Sequence, residues 1–329
     1  MPIAVLSPAK TLIETPETAV ELTEPPFAAD RQELLEACSK LQRNDVKNLM
    51  SLSDSLAALN YDRFQSFESQ PVLPAAWAFD GPAHKALNIR SLDPDGQAYA
   101  DAAIVTLSGL YGCLRPRDAI RPYRLEMGTK LATGRGANLY AFWGARIARE
   151  LRSRLEALPE EKGRFLVNVA SEEYWKSVGA HAAGELGNAA PVYTVKFPGP
   201  SVYAKQARGL FCRFLCERRV ATPEGLAAFA EWTRDSPAAT ALYALEPPNP
   251  KDGARALAFR RAGGKEEEAG AGVAEAKATA KRGPAKGKKA AAQGESPAAV
   301  EEGSAPAKAR TKRATGVPKA TPQAKRGKK

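Results

Sequence analysis

Ala102-Ala103-Ile104-Val105-Thr106-Leu107 runs directly into Ser108-Gly109-Leu110-Tyr111-Gly112-Cys113-Leu114-Arg115-Pro116-Arg117-Asp118-Ala119-Ile120-Arg121-Pro122-Tyr123-Arg124-Leu125-Glu126-Met127-Gly128. The first six residues are an apolar run of strand length, which predicts a buried strand. The remaining twenty-one read as a loop in which two prolines, four arginines and two tyrosines crowd together. Glycine and proline set backbone turns that other residues resist. Arginine and tyrosine present forks, rings and hydroxyls to a partner. A loop that only connects two elements is usually shorter. The block therefore reads either as a ligand-facing loop or as an arginine-rich turn held by carboxylates of its own.

Three further apolar runs have strand length: Ile3–Leu6, Phe165–Val169 and Val192–Phe197. Helical spacing fills the intervals, over Phe27–Leu41, Asp45–Leu59, Leu139–Leu158 and Tyr203–Val220. Pro223–Trp232 reads as a shorter helix, with Thr222 as N-cap and Pro223 in the first position. Strands alternating with helices predict one mixed α/β domain whose sheet is at least partly parallel.

The chain has 329 residues, and its formal charge of +11 is unevenly spread. Residues 261–329 hold 17 Lys and Arg against 7 Asp and Glu, so residues 1–260 are nearly neutral. Beyond 260 there is no Phe, Tyr, Trp, Leu or Ile, and Ala, Lys, Gly and Pro dominate. Such a segment buries too little apolar surface to offset chain entropy, so 261–329 is expected to be a disordered basic tail behind a 1–260 domain. Its Pro-Ala-Lys texture is similar to linker-histone tails in composition. No run approaches the ~18 apolar residues of a membrane span, and no secretory leader is expected at the N-terminus. Cys38, Cys113, Cys212 and Cys216 are not spaced as a disulfide framework or a zinc site, and only His84 and His181 are available as histidines. No metal or cofactor is expected.

Three strands lead into polar segments. Ile3–Leu6 is followed by Ser7-Pro8-Ala9-Lys10, Ala102–Leu107 by the arginine-rich block, and Phe165–Val169 by Ser171-Glu172-Glu173-Tyr174. In parallel sheets, ligands sit beyond the carboxyl ends of the strands. If these strands are neighbours, Lys10, Arg115, Arg121, Arg124, Asn168 and Ser171 share one rim. Ser171 reads equally well as a helix N-cap. In Tyr203–Val220 the spacing sets Ala207, Leu210, Phe211, Phe214 and Leu215 on an apolar face, with Lys205, Arg208, Gly209, Cys212 and Cys216 opposite. Gly209 costs a helix ~1 kcal/mol relative to Ala, which suits either a phosphate or a second helix brought close. Cys212 and Cys216, one turn apart, suit redox chemistry or two small side chains on a half-buried face. Gly134-Arg135-Gly136 lacks the strand context of a dinucleotide fingerprint. The cations suit a polyanion, phosphate above all.

Several of these segments together resemble the YaaA family of bacterial peroxide stress proteins. The residues are Leu6-Ser7-Pro8-Ala9-Lys10-Thr11, the Ser108–Gly128 block, Leu139-Tyr140-Ala141-Phe142-Trp143-Gly144, Asn168-Val169-Ala170-Ser171-Glu172-Glu173-Tyr174 and Tyr203-Ala204-Lys205-Gln206-Ala207-Arg208-Gly209. They occur in order over roughly residues 1–230. The resemblance implies a cytoplasmic protein, nucleoid-associated in one version, that protects against hydrogen peroxide and lowers iron-driven DNA damage. It implies an α/β fold of the family's own type, a helix-hairpin-helix element and a basic cleft that binds double-stranded DNA. It implies no established enzymatic activity. Carried over residue by residue, the cleft comprises Lys10, Arg115, Arg121, Tyr123, Arg124, Asn168, Ser171, Lys205 and Arg208. The helices around Lys40–Phe64 are the candidate helix-hairpin-helix element, although their connection lacks the usual glycines. Phe79-Asp80-Gly81-Pro82-Ala83-His84 departs from a family pattern that usually has a tyrosine after Phe-x-Gly. Ala230-Glu231-Trp232-Thr233 departs as well. Two alternatives stay open: an enzyme acting on a nucleotide or damaged base through Lys10, Tyr123, Glu126 and Asn168, and a nucleoid structural protein that binds mainly through its tail.

Overall fold

A computed structural model describes residues 1–15, 20–159, 163–187 and 190–262. The expected tail lies outside the described residues from position 263 onward. The strands are β1 (Pro2–Leu6), β2 (Leu73–Pro74), β3 (Ile104–Ser108), β4 (Gly112–Leu114), β5 (Ala119–Ile120), β6 (Phe165–Asn168), β7 (Val192–Lys196), β8 (Tyr243–Leu245) and β9 (Ala256–Arg261). The helices are α1 (Ala28–Ser39), α2 (Arg43–Met50), α3 (Asp54–Gln65), α4 (Ala75–Ala78), α5 (Pro82–Leu87), α6 (Pro94–Ala103), α7 (Leu139–Trp143), α8 (Arg146–Ala157), α9 (Glu172–Glu185), α10 (Ser201–Arg218) and α11 (Phe229–Asp235).

Seven strands form one sheet in the order β4-β3-β1-β6-β7-β9-β8. The five inner strands are parallel, and β4 and β8 close the edges antiparallel. The mixed α/β architecture with a largely parallel sheet is as the sequence predicts. Both faces of the sheet are covered. Ile3 and Val5 point into a core shared with Leu34, Leu107 and Trp143, while Ala4 and Leu6 point into a second core with Ile104, Phe211 and Phe229. This is why β1 reads as a continuous apolar run and not as an alternating one.

From β1 the chain crosses to β3 on one side, then returns past β1 to reach β6 on the other. The β1–β6 boundary is therefore a topological switch point. The loops leaving the two strands part there and open a crevice above their carboxyl ends.

Several elements differ from the sequence expectation, each for a local reason. The strand expected at Ala102–Leu107 starts at Ile104, because Ala102 and Ala103 end α6. The helix expected over Asp45–Leu59 is two helices. Ser51 ends α2 with a left-handed φ of 50°, and Ser53 opens α3 by accepting the Leu56 amide at 3.4 Å. Leu49, Leu52 and Leu56 keep helical spacing across the break, which hides it. Leu139–Leu158 is likewise divided at Gly144, whose φ is 48°. Pro223–Trp232 is a 3₁₀ turn over Glu224–Ala228 followed by α11.

Candidate functional site

The crevice above β1 and β6 is a cleft of about 290 Å³. Four segments build its walls: Leu6–Thr11 after β1, Asp80–His84 entering α5, Tyr123–Glu126 after β5, and Ser171, Glu173 and Tyr174 at the start of α9. Lys205 and Arg208 on α10 complete it.

Its base is a pair of serines. The Ser171 amide donates to Ser7 Oγ at 2.9 Å, and Ser7 Oγ donates to Ser171 Oγ at 3.1 Å. Ser171 occupies the N-cap position of α9, but its side chain makes no capping bond. It ties α9 to the end of β1 instead. The first-turn amides of α9 therefore keep the positive end of the helix dipole without a side-chain cap, beside the cleft.

The cations divide into two groups. Glu126 holds Lys10 and Arg124: its Oε1 accepts from Lys10 Nζ at 3.0 Å and from Arg124 Nε and Nη2 at 3.2 and 3.1 Å. Lys205 and Arg208 have no hydrogen-bond or ion-pair partner among the described residues. Lys205 is exposed, whereas Arg208 is half-buried with its Nε shut off from solvent and unbonded. Burial pulls the Arg208 pKa downward, and the charge of Glu172 partly offsets this. A half-buried guanidinium without an acceptor is a costly arrangement, and an anion would relieve it.

Of the sequence-predicted residues, Lys10, Tyr123, Arg124, Ser171, Lys205 and Arg208 line the cleft. Three do not. Arg115 binds the buried Asp118 through its own amide (2.7 Å) and its Nε (2.9 Å), and donates to the Glu24 carbonyl at 2.9 Å. Arg121 donates to the Gln70 carbonyl and pairs with Glu68 at 3.3 Å. Asn168 is buried, and its Oδ1 accepts the Ala170 amide at 3.0 Å. Arg117 is also engaged internally, with Asp101 at 2.5 Å. The arginine-rich block is thus largely a turn braced by carboxylates, with Arg124 as its contribution to the cleft. Tyr123 backs the wall, its hydroxyl 2.6 Å from Ser108 Oγ, and burial raises its pKa. The paired helices α2 and α3 contribute nothing to the lining.

The polar face expected on α10 needs correction. Gly209, Cys212 and Cys216 are all buried, as is everything from Gly209 to Cys216. The second face packs on α5 and α6. At Gly209 an added Cβ would lie 1.8 Å from the Ala83 carbonyl oxygen, so this glycine serves helix packing and not ligand approach. Burial pushes the Cys212 thiol up to about 12 and Cys216 well above its ordinary value, which removes the thiolate that redox chemistry needs.

Sequence reading missed the α5 wall. His84 is 5% exposed; its Nε2 lies 3.0 Å from the Ser7 carbonyl oxygen and its ring packs on Phe79. A carbonyl only accepts, so Nε2 carries the proton and Nδ1 keeps a lone pair, which has no partner. Burial lowers the pKa of this histidine to about 4. The departure from the family pattern at Phe79–His84 was the one available signal. Among the described residues no group of three His, Cys, Asp or Glu could hold a metal, and no helix is long and apolar enough to cross a membrane.

Comparison with known proteins agrees with the residue blocks. The family model described as peroxide stress protein YaaA matches residues 2–234, ending before β8 and β9. A UPF0246 protein of Aliivibrio fischeri strain MJ11 is 42% identical over 236 residues, covering 69% of this chain and 90% of the relative. A UPF0246 protein of Burkholderia multivorans is 43% identical over 241 residues, with the same coverage of both chains. A UPF0246 protein of Burkholderia cenocepacia strain HI2424 is similar to the same degree, at 43% over 241 residues. With the family match spanning the sheet from β4 to β7 and every residue of the cleft, the chain belongs to the peroxide stress protein YaaA family.

Proposed function

We propose that this protein acts in peroxide stress by holding DNA through backbone phosphate at the cleft, with Lys205 and Arg208 as the primary contacts. The observation that carries this reading is Arg208: a half-buried guanidinium, unbonded, next to an exposed lysine on the same helix. The uncapped start of α9 adds a helix dipole of the right sign for phosphate, opposed by the charges of Glu172 and Glu173 in the same turn. Lys10 and Arg124 form a reserve, held by Glu126, which offsets one of their two charges until a stronger anion competes. The basic tail supplies sequence-independent attraction to the same polyanion. By keeping DNA covered, the protein lowers iron-driven damage to it.

The test is survival under hydrogen peroxide. A deletion strain with its other peroxide defences disabled should be sensitive, and an iron chelator should relieve most of that sensitivity. The wild-type chain should restore resistance and Arg208→Glu should not, at equal abundance. Full rescue by Arg208→Glu would overturn the cleft as the working site.

A further inference from the structure

Glu126 has one half of its carboxylate committed and the other half open. Oε1 takes both Lys10 and Arg124. No described group bonds Oε2, and the side chain is 25% exposed on the cleft wall. A carboxylate accepts hydrogen bonds and donates none, so Oε2 calls for a ligand that brings N–H or O–H groups. On the α10 wall the demand is the opposite. Arg208 and Lys205 need an acceptor, and the carboxylate whose charge reaches Arg208 is Glu172 and not Glu126. The cleft therefore has a donor wall on α10 and, on the wall that also carries Lys10 and Arg124, an open acceptor at Glu126 Oε2; the apolar residues Leu6, Pro8, Pro82 and Ala83 line it as well.

A fully ionised oxyanion without O–H, such as sulfate, satisfies only the first wall, and so does a paired duplex, whose backbone has no N–H or O–H. At about 290 Å³ the cleft has the size of a small-molecule site, so a duplex meets it only by backbone phosphate at the mouth, where Lys205 is exposed, and does not fill it. A single nucleotide out of its base pair satisfies both walls. It carries a phosphate, and its freed base edge or sugar hydroxyl donates hydrogen bonds. We propose that the cleft takes one unpaired nucleotide, with its phosphate on Lys205 and Arg208 and its donor edge on Glu126 Oε2. This rests on the cleft being a phosphate site and names what else the ligand must carry. Nucleotides come unpaired most cheaply at mismatched or damaged positions, which links the site to peroxide-damaged DNA.

The test uses the full chain at physiological salt, titrated calorimetrically with thymidine 5′-monophosphate, thymidine and sulfate, which carries no O–H at neutral pH. The monophosphate should bind about tenfold or more tighter than either fragment, because each fragment leaves one wall unpaired. Glu126→Gln frees Lys10 and Arg124 for any anion, so the readout is relative: the monophosphate should weaken about tenfold against sulfate, with melting curves confirming that the variant is folded. A duplex with one unpaired thymidine should outbind the fully paired duplex, the tail contributing equally to both. Sulfate binding as tightly as the monophosphate, and abolished in Arg208→Ala, would overturn this inference and leave the oxyanion site standing. Failure of both sulfate and monophosphate to bind would overturn the phosphate site and the inference together.

Discussion

Ser7 and Ser171 join the end of β1 to the start of α9 through two hydrogen bonds, at 2.9 and 3.1 Å, across the point where the sheet topology switches direction. Ser7 Oγ takes part in both, as acceptor of the Ser171 amide and as donor to its hydroxyl. Ser7→Ala should therefore cost about 1–2 kcal/mol, because it leaves the Ser171 amide unpaired. Ser171→Ala keeps that amide bond and should cost about half as much or less. Urea melts of the two variants check the ordering.

Gly209 tests the packing of α10 on α5. Helix propensity alone makes Gly→Ala stabilising by ~1 kcal/mol. The added Cβ would lie 1.8 Å from the Ala83 carbonyl oxygen, a backbone atom that cannot swing aside. Gly209→Ala should therefore destabilise by about 1–3 kcal/mol or more as the helices are forced apart. A raised melting temperature would show that the two helices do not touch.

His84 sets a pH dependence. Its pKa falls from an ordinary 6.5 to about 4 in the folded chain, because burial disfavours the charged ring. The unfolded chain thus binds more protons between these values, and stability rises with pH through that window. The contribution is fully present above pH 6.5 and disappears as the pH drops to 4. It amounts to roughly 3 kcal/mol. His84→Phe should flatten the difference between urea melts at the two ends of the window, whatever it does to stability at neutral pH. An unchanged difference would place the titration elsewhere.

The cysteines should be inert. All four are buried, and burial pushes Cys38, Cys113 and Cys212 each up to about 12 and Cys216 well above its ordinary value. Thiol reagents at mildly alkaline pH should label none in the folded protein and all four after denaturation. Rapid labelling of Cys212 in the native state, or its oxidation by dilute peroxide, would reopen a thiol-based role.

The inner strands β1, β3 and β6 were legible because burial on both sheet faces makes each a largely apolar run, whereas β7 is only partly buried and legible from Val192, Tyr193 and Val195. The rim at their carboxyl ends came from α/β topology, and six of nine expected cleft residues lie on it. The pairing of charges escaped. Arg115 and Arg121 look like ligand groups until Asp118, Glu68 and two carbonyls are seen beside them. Asp118 is only three residues from Arg115, within the carboxylate-held turn that is one of the two sequence readings, but the Glu24 and Gln70 carbonyls lie 91 and 51 residues from their arginines, beyond any local pattern. The all-round burial of Gly209–Cys216 in α10 escaped for the same reason: its second face is covered by α5 and α6, which no periodicity within α10 can announce. His84 escaped because a lone histidine in a short helix has no pattern of its own.

The central claim is that Arg208 and Lys205 meet phosphate. It is tested most directly by the affinity for duplex DNA of a chain ending at Ala262, whose amide closes on the Leu242 carbonyl at 3.0 Å, so that β9 stays whole and the basic tail is gone. Fluorescence anisotropy across a salt series gives both affinity and the number of phosphates engaged. Arg208→Glu and Lys205→Glu should each weaken binding about tenfold or more and lower the log–log salt slope by about 0.9 for each phosphate no longer engaged, with unchanged melting temperature. Equal affinity and equal slope in folded variants would contradict the account and move DNA binding away from the cleft.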